Sequence, residues 1–315
     1  MIVAVISLVI GFICLVKGAD WFVDGSSAIA KRFGIPSLII GLTIVAFGTS
    51  APEAAVSITA SLSGQNEIAV GNILGSNIFN LLFILGICAI MKPLKVHRSI
   101  INRDFPLSIL AALVVCLCGL DVFFGEATAN FVTRVEGLII LCFFGIFLYA
   151  TARSAINDDS EQCDKSTILP LSKSLIYLAI GLVAIIIGGK LVVSGASEIA
   201  TALGLGKDLI ALTIVAIGTS LPELVTSFVA TRKGEADIAI GNVIGSNIFN
   251  IFFILGFSAL LSPLAMTASS MFDVAFLVVS SLIVFIFAFK QTITKKHGII
   301  MLLMYAVYTA YIIIR

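Results

Sequence analysis

Residues Thr43 to Glu53 read TIVAFGTSAPE and residues Thr213 to Glu223 read TIVAIGTSLPE, nine identities in eleven positions at an offset of 170. The same offset carries Gly71 to Asn80 (GNILGSNIFN) onto Gly241 to Asn250 (GNVIGSNIFN), with eight identities in ten. It continues through Phe83, Ile84, Leu85 and Gly86 onto Phe253, Ile254, Leu255 and Gly256, and pairs Gly18 with Gly188, Gly25 with Gly195 and Pro93 with Pro263. A period this long and this well kept marks an internal duplication. The chain is read as two copies of one unit, residues 1–152 and 173–315, with paired motifs at 43–80 and 213–250 and a linker at 153–172.

The residues around the motifs set the environment. Of 315 residues 59% are hydrophobic and 12% charged, about half the ~25% charged content of a soluble globular protein, which excludes a water-soluble fold. Apolar runs predict helices near 2–30, 37–62, 68–91, 105–121, 132–152, 173–200, 208–231, 238–261, 269–289 and 298–314. Neither ten-residue alternation nor long polar loops appear, so an outer-membrane barrel is excluded and the fold class is an all-α polytopic membrane protein. Ten spans give five per copy, and an odd number makes the second copy enter the membrane from the opposite side, an inverted repeat. The apolar run Met1 to Val16 has neither the basic flank nor the small-residue cleavage site of a signal peptide and is read as the first helix.

Charge placement orients the chain. The 19 Lys+Arg and 18 Asp+Glu nearly cancel, so net charge points to no nucleic-acid partner. With both termini external, 14 basic residues fall in the cytoplasmic connections and three outside, Arg134, Lys207 and Arg315. The linker acids Asp158, Asp159, Glu161 and Asp164 show no EF-hand spacing and are read as solvated. Cys14, Cys88, Cys116, Cys118, Cys142 and Cys163 show no metal-ligand pairing, and neither a disulfide framework nor a zinc site is expected.

Glu53 and Glu223 are carboxylates within apolar spans, each costing about 2.5–3.5 kcal/mol to insert, so they are read as functional. Pro52 cannot donate to the Gly48 carbonyl, and its ring crowds that turn. The helix is therefore expected to break at the midplane and free carbonyls near Ala46 to Thr49, with Pro222 doing the same near Ala216 to Thr219. Irregular backbone at membrane depth survives only where it is buried in protein or lines a cavity. Helical spacing puts Ala46, Thr49, Ser50, Glu53 and Ser57 on one face, and Ala216, Thr219, Ser220, Glu223 and Ser227 on its repeat. In the partner motifs Asn72, Ser76 and Asn80 share a face, as do Asn242, Ser246 and Asn250. Gly71 with Gly75, and Gly241 with Gly245, form small-xxx-small pairs for close helix approach. Carboxylate, hydroxyl, amide and carbonyl oxygens without His or Cys make a hard-oxygen set suited to Ca2+, Na+ or Mg2+. Two glutamates neutralise one Ca2+, and the same oxygens can hold Na+ instead.

At these motifs the sequence resembles the cation/calcium exchanger superfamily, and within it the prokaryotic sodium/calcium exchangers with two alpha-repeats. The resemblance covers nearly the whole chain. It implies a core of helices two, three, seven and eight, with long tilted helices one and six sliding across it. It implies ion ligation by Ala46, Thr49, Ser50, Glu53, Ser76 and Asn80, and by Ala216, Thr219, Ser220, Glu223, Ser246 and Asn250. It further implies Na+/Ca2+ antiport across the plasma membrane by alternating access, without enzymatic activity, cofactor or obligate protein partner; Ca2+/H+ exchange and a gated cation channel are the alternatives. Potassium-dependent relatives carry Asp where this chain has Asn250, which argues against obligatory K+ cotransport, and the short linker leaves no room for the regulatory domain of animal exchangers. Of the other ionisable residues Asp20, Asp24, Asp121, Glu136, Glu198 and Asp273, most fall near span ends. Asp20 and Asp24 are read as an interfacial turn ending helix one rather than as a guide for cations at the external opening, and Trp21 as an interface anchor.

Overall fold

The computed structural model describes residues 2–120, 122, 129–157, 169–203 and 216–314. Its helices are α1 (Ile2–Phe33), α2 (Ser37–Thr49), α3 (Ala51–Leu62), α4 (Asn66–Met91), α5 (Ile100–Cys118), α6 (Arg134–Asn157), α7 (Leu171–Ala202), α8 (Ala216–Thr219), α9 (Leu221–Lys233), α10 (Ala236–Leu261), α11 (Ala268–Phe289) and α12 (Lys295–Ile314). Four two-residue strands sit between them: β1 (Leu94–Lys95), β2 (Phe131–Val132), β3 (Leu264–Ala265) and β4 (Thr292–Ile293). Among the described residues eight helices are long and apolar enough to cross a membrane, and α2 with α3 makes a ninth, bent by 49°. The first part of the span expected at 208–231, most of the 153–172 linker, and Asp121 lie outside the described residues.

The bend has the cause read from the sequence. Ser50, at φ −82° and ψ 8°, separates α2 from α3, two residues before Pro52, whose missing N–H and bulky ring prevent a straight continuation. Ser220, at φ −88° and ψ 7°, does the same before Pro222. The turn after α9 closes on Gly234 at φ 85°, a left-handed conformation that glycine adopts without side-chain strain.

The chain forms two compact units that cut across the sequence copies. The first comprises Met1–Pro52 and Ala155–Asn242, the second Glu53–Ser154 and Val243–Arg315. In the first unit α1 and α7, each of 32 residues, span about 48 Å at 1.5 Å per residue, well beyond the ~30 Å hydrocarbon layer. They run antiparallel along a glycine seam with a seven-residue period: Gly11, Gly18 and Gly25 on α1, Gly181, Gly188 and Gly195 on α7. A Cβ added at any of these six would lie 2.6–2.9 Å from a carbonyl oxygen of the opposite helix, so only glycine permits the approach. Leu15, Ala19, Phe22, Ile185 and Val192 continue into the apolar core of this unit.

Asp20 and Asp24 differ from expectation. Helix α1 continues past them to Phe33, and they hold Lys233 at the end of α9, with Nζ 2.7 Å from Asp24 Oδ1 and 3.4 Å from Asp20 Oδ1. Beside them Glu235 accepts from the Ser27 hydroxyl at 2.6 Å and from Lys31 at 3.1 Å. Their meaning emerges only in three dimensions, because the partners stand more than 200 positions apart in sequence. At the repeat offset these positions hold Lys190, Ser194, Ser63 and Gln65, so this charged set, drawn from both copies, has no counterpart at the repeat-related positions.

The second unit is built on contacts that occur twice. Phe79 stacks on Phe83 at 4.7 Å and both rings meet Tyr305 of α12; Phe249 stacks on Phe253 at 4.9 Å and both meet Phe144 of α6. Gly86 approaches the Gly298 carbonyl, and Gly256 approaches that of Gly137. Strand β1 pairs antiparallel with β4, and β3 with β2. Thus α4 relates to α12 as α10 relates to α6. The steric argument for the glycine seam predicts that Gly181→Val lowers stability by about 1–3 kcal/mol, the cost of overpacking, seen as a lower thermal midpoint in detergent. Gly145→Ala, at an exposed position with no described atom within 4 Å, leaves that midpoint unchanged or raises it.

Candidate cation site

In the first unit the break after α2 delivers oxygen atoms to Glu223. Ser50 Oγ donates to Glu223 Oε1 at 2.7 Å, so a hydroxyl from the first GTSxPE motif meets the carboxylate of the second. Both residues are fully buried, and Glu223 Oε2 is buried without a hydrogen-bond partner. Thr49 Oγ1 lies 3.1 Å from the Val45 carbonyl, 3.3 Å from that of Ala46 and 3.0 Å from Asn242 Oδ1; its one proton serves one of them at a time. Ser220 and Thr219 are buried beside the second break, and Ala216 opens α8. The expected freeing of carbonyls is partial at Ala46, whose oxygen accepts the Ser50 N–H at 3.0 Å. The helix keeps that bond up to the break itself, and Thr49 Oγ1 lies 3.3 Å from the same oxygen.

In the second unit Glu53 is fully buried in the first turn of α3. Asn72 Nδ2 on α4 donates to Ser57 Oγ at 2.9 Å and approaches the Glu53 carbonyl at 3.4 Å. In the first unit Asn242 Nδ2 repeats this on Ser227 Oγ at 2.9 Å and the Glu223 carbonyl at 3.4 Å. Asn72, Asn242, Ser57 and Ser227 are thereby committed to lacing each Glu-bearing helix to its partner helix, the hydrogen-bonding role rather than the ligand role. Ser76, Asn80, Ser246 and Asn250 are all buried, and both amide atoms of Asn80 and Oδ1 of Asn250 have no hydrogen-bond partner. Buried amide and carboxylate oxygens without a partner are costly, and a dehydrated cation is the counterpart that such oxygens suit.

Helical periodicity alone does not disclose two further features. Asn80 and Asn250 sit in wide π-helical turns, Phe79–Ile84 and Phe249–Leu255, a backbone form frequent at functional positions. Asn77 and Asn247, unassigned above although they lie within both GSN triplets, clasp one another: Asn77 Nδ2 donates to the Asn247 carbonyl at 3.1 Å and Asn247 Nδ2 to the Asn77 carbonyl at 3.2 Å. A duplicated Asn in an apolar helix must find a polar partner, and that was the available signal. Close approach holds at Gly241, where an added Cβ would meet the Leu38 carbonyl at 2.7 Å. No described atom lies within 4 Å at Gly71 or Gly75, and residues 208–212, the repeat counterparts of 38–42, are outside the described residues.

Fold and site together define a multi-pass helical membrane protein organised around buried carboxylates, hydroxyls and amides, the makeup of a cation transporter. The chain matches the sodium/calcium exchanger protein family over residues 3–152 and 173–314, and it belongs to that family. It is 34% identical to the sodium/calcium exchanger MaX1 of Methanosarcina acetivorans, covering 96% of each chain. It is 43% identical to the putative antiporter CaxA of Alkalimonas amylolytica over 84% of this chain and 82% of that one. The solved structure of the sodium-calcium exchanger NCX_Mj superposes with a TM-score of 0.86 at 34% identity, over 98% of both chains. The lacing role predicts that Asn72→Ala lowers thermal stability by about 1–3 kcal/mol through an unsatisfied partner, while any stabilisation by added Ca2+ is retained. Loss of the Ca2+-induced shift in that variant would make Asn72 a ligand.

Proposed function

We propose that this chain is a secondary antiporter that exchanges Na+ for Ca2+ by alternating access, using inward Na+ flow to expel Ca2+ across the plasma membrane. The observation that carries this reading is the bond from Ser50 to Glu223, by which the two copies of the broken-helix motif supply oxygens to one buried carboxylate. We assign the ion ligands to the twelve positions read from the sequence: Ala46, Thr49, Ser50, Glu53, Ser76, Asn80, Ala216, Thr219, Ser220, Glu223, Ser246 and Asn250. Their hard oxygens suit Ca2+, which takes six to eight such donors, and Na+ competes for the same atoms. Mutually exclusive occupancy of one anionic site couples the two flows. Two carboxylates balance one Ca2+, so exchange of more than two Na+ per Ca2+ carries net charge.

The architecture proposed with this function is ten membrane helices in two inverted five-helix repeats, residues 1–152 and 173–315, joined by the 153–172 linker. The described bent span α2–α3, the corresponding break at Ser220, and the paired aromatic and strand contacts of the second unit support it. Fourteen basic residues in the connections assigned to the cytoplasm support external termini and an internal linker.

The test is Ca2+ uptake into proteoliposomes loaded with Na+, K+ or a proton gradient. Outward Na+ gradients are expected to drive uptake, with K+ and pH gradients ineffective, and Glu53→Gln and Glu223→Gln each to abolish it. Uptake driven by pH and indifferent to Na+ would establish proton exchange instead, and unitary conductance steps would establish a channel.

A further inference from the structure

Asn77 makes one contact that the clasp with Asn247 does not require. Its Oδ1 accepts from Asn250 Nδ2 at 3.0 Å, while its Nδ2 is engaged by the Asn247 carbonyl. The Asn77 amide is thus fixed at both ends, and it fixes the next one. An Asn side chain whose nitrogen is held must present its oxygen on the other branch of the amide, and Asn250 Oδ1 is buried with no hydrogen-bond partner. We infer that Asn77 is a positioning residue, which turns the Asn250 carboxamide so that its oxygen, not its nitrogen, is offered to the transported cation. This rests on the reading of Asn250 as an ion ligand.

The need for such a residue follows from the chemistry. A carboxamide has two ends of similar size and opposite polarity, and only the oxygen can coordinate a cation. An Asp there would offer oxygens at both ends and need no orienting partner. With Asn, half of the rotamers present an NH2 group to the ion, and an acceptor at Oδ1 of Asn77 removes them. The arrangement is used once. At the repeat offset Asn247 stands where Asn77 does and Asn80 where Asn250 does, yet Asn247 Oδ1 and both amide atoms of Asn80 are without partners. The two copies therefore supply unlike amides, one held and one able to turn.

The test is a double-mutant cycle on Na+-driven Ca2+ uptake in proteoliposomes. Asn77→Leu removes the acceptor, and Asn77→Ser, short and polar enough to be accommodated, removes it without bulk. Each is expected to raise the apparent KM for Ca2+ about tenfold with kcat within about twofold. In an Asn250→Ala background, which has no amide to orient, Asn77→Ser is expected to leave KM unchanged. Equal KM effects in both backgrounds, or a fall in kcat alone, would make Asn77 a structural residue and overturn the assignment. An unchanged KM in Asn77→Ser, with wild type transporting normally, overturns the positioning role and leaves antiport standing. Absence of Na+-driven uptake in the wild type overturns the antiport reading and this role with it.

Discussion

A carboxylate held inside an apolar helical bundle dominates the energetics of this molecule. Desolvation of a carboxylate costs several kcal/mol, and the sequence buries one twice, at Glu53 and Glu223. Much of the surrounding chemistry moderates it without cancelling it. Ser50 donates to one oxygen of Glu223 and leaves the other buried without a partner. The bonds described at Thr49, Ser50, Glu223 and Asn250 are made with hydroxyls, amides and backbone carbonyls. A basic side chain there would neutralise the site permanently, whereas hydroxyls, amides and carbonyls stabilise a cation while allowing it to leave. Weak polar donors thus keep the charge available for a mobile ion.

The same requirement shapes the backbone. An unbroken helix would consume its carbonyls in its own ladder, and Pro52 and Pro222 interrupt that ladder next to each glutamate. The partner helices likewise depart from the regular ladder, in wide turns at Asn80 and Asn250. Away from the carboxylates, rigidity is supplied by repeated lacing, with Asn72 on Ser57 and Asn242 on Ser227. The seam between α1 and α7 is of another kind: six glycines bring backbone directly against backbone, so these two helices pack as one close pair. The charged set around Lys233 draws on both copies and is not repeated at the offset of 170, so the duplicated halves are not electrostatic equals.

Much of this was legible in the chain. The GTSxPE spacing located the breaks and the buried carboxylates because proline's missing N–H acts locally, and apolar run length located the helices because the bilayer dictates it. Other features depended on distant partners. Asn77 and Asn247 lie in the quoted motif, but a hydrogen bond between residues 170 apart leaves no periodic trace. The seven-residue glycine spacing was visible in part as matched pairs between copies, and its meaning required knowing that α1 and α7 are antiparallel neighbours. Asp20 and Asp24 resembled a helix end because two acids and a Trp interrupt an apolar run. They are instead part of a continuous helix, with their charge matched by Lys233.

The central claim is that one set of oxygens holds either Ca2+ or Na+ and never both. Equilibrium binding of radiolabelled Ca2+ to the purified protein, titrated with Na+ at constant ionic strength, tests it most directly. The account predicts complete displacement of Ca2+ with a Hill coefficient for Na+ above one, because several monovalent ions replace one divalent ion. Ca2+ that stays bound at saturating Na+ would show two independent sites and contradict it.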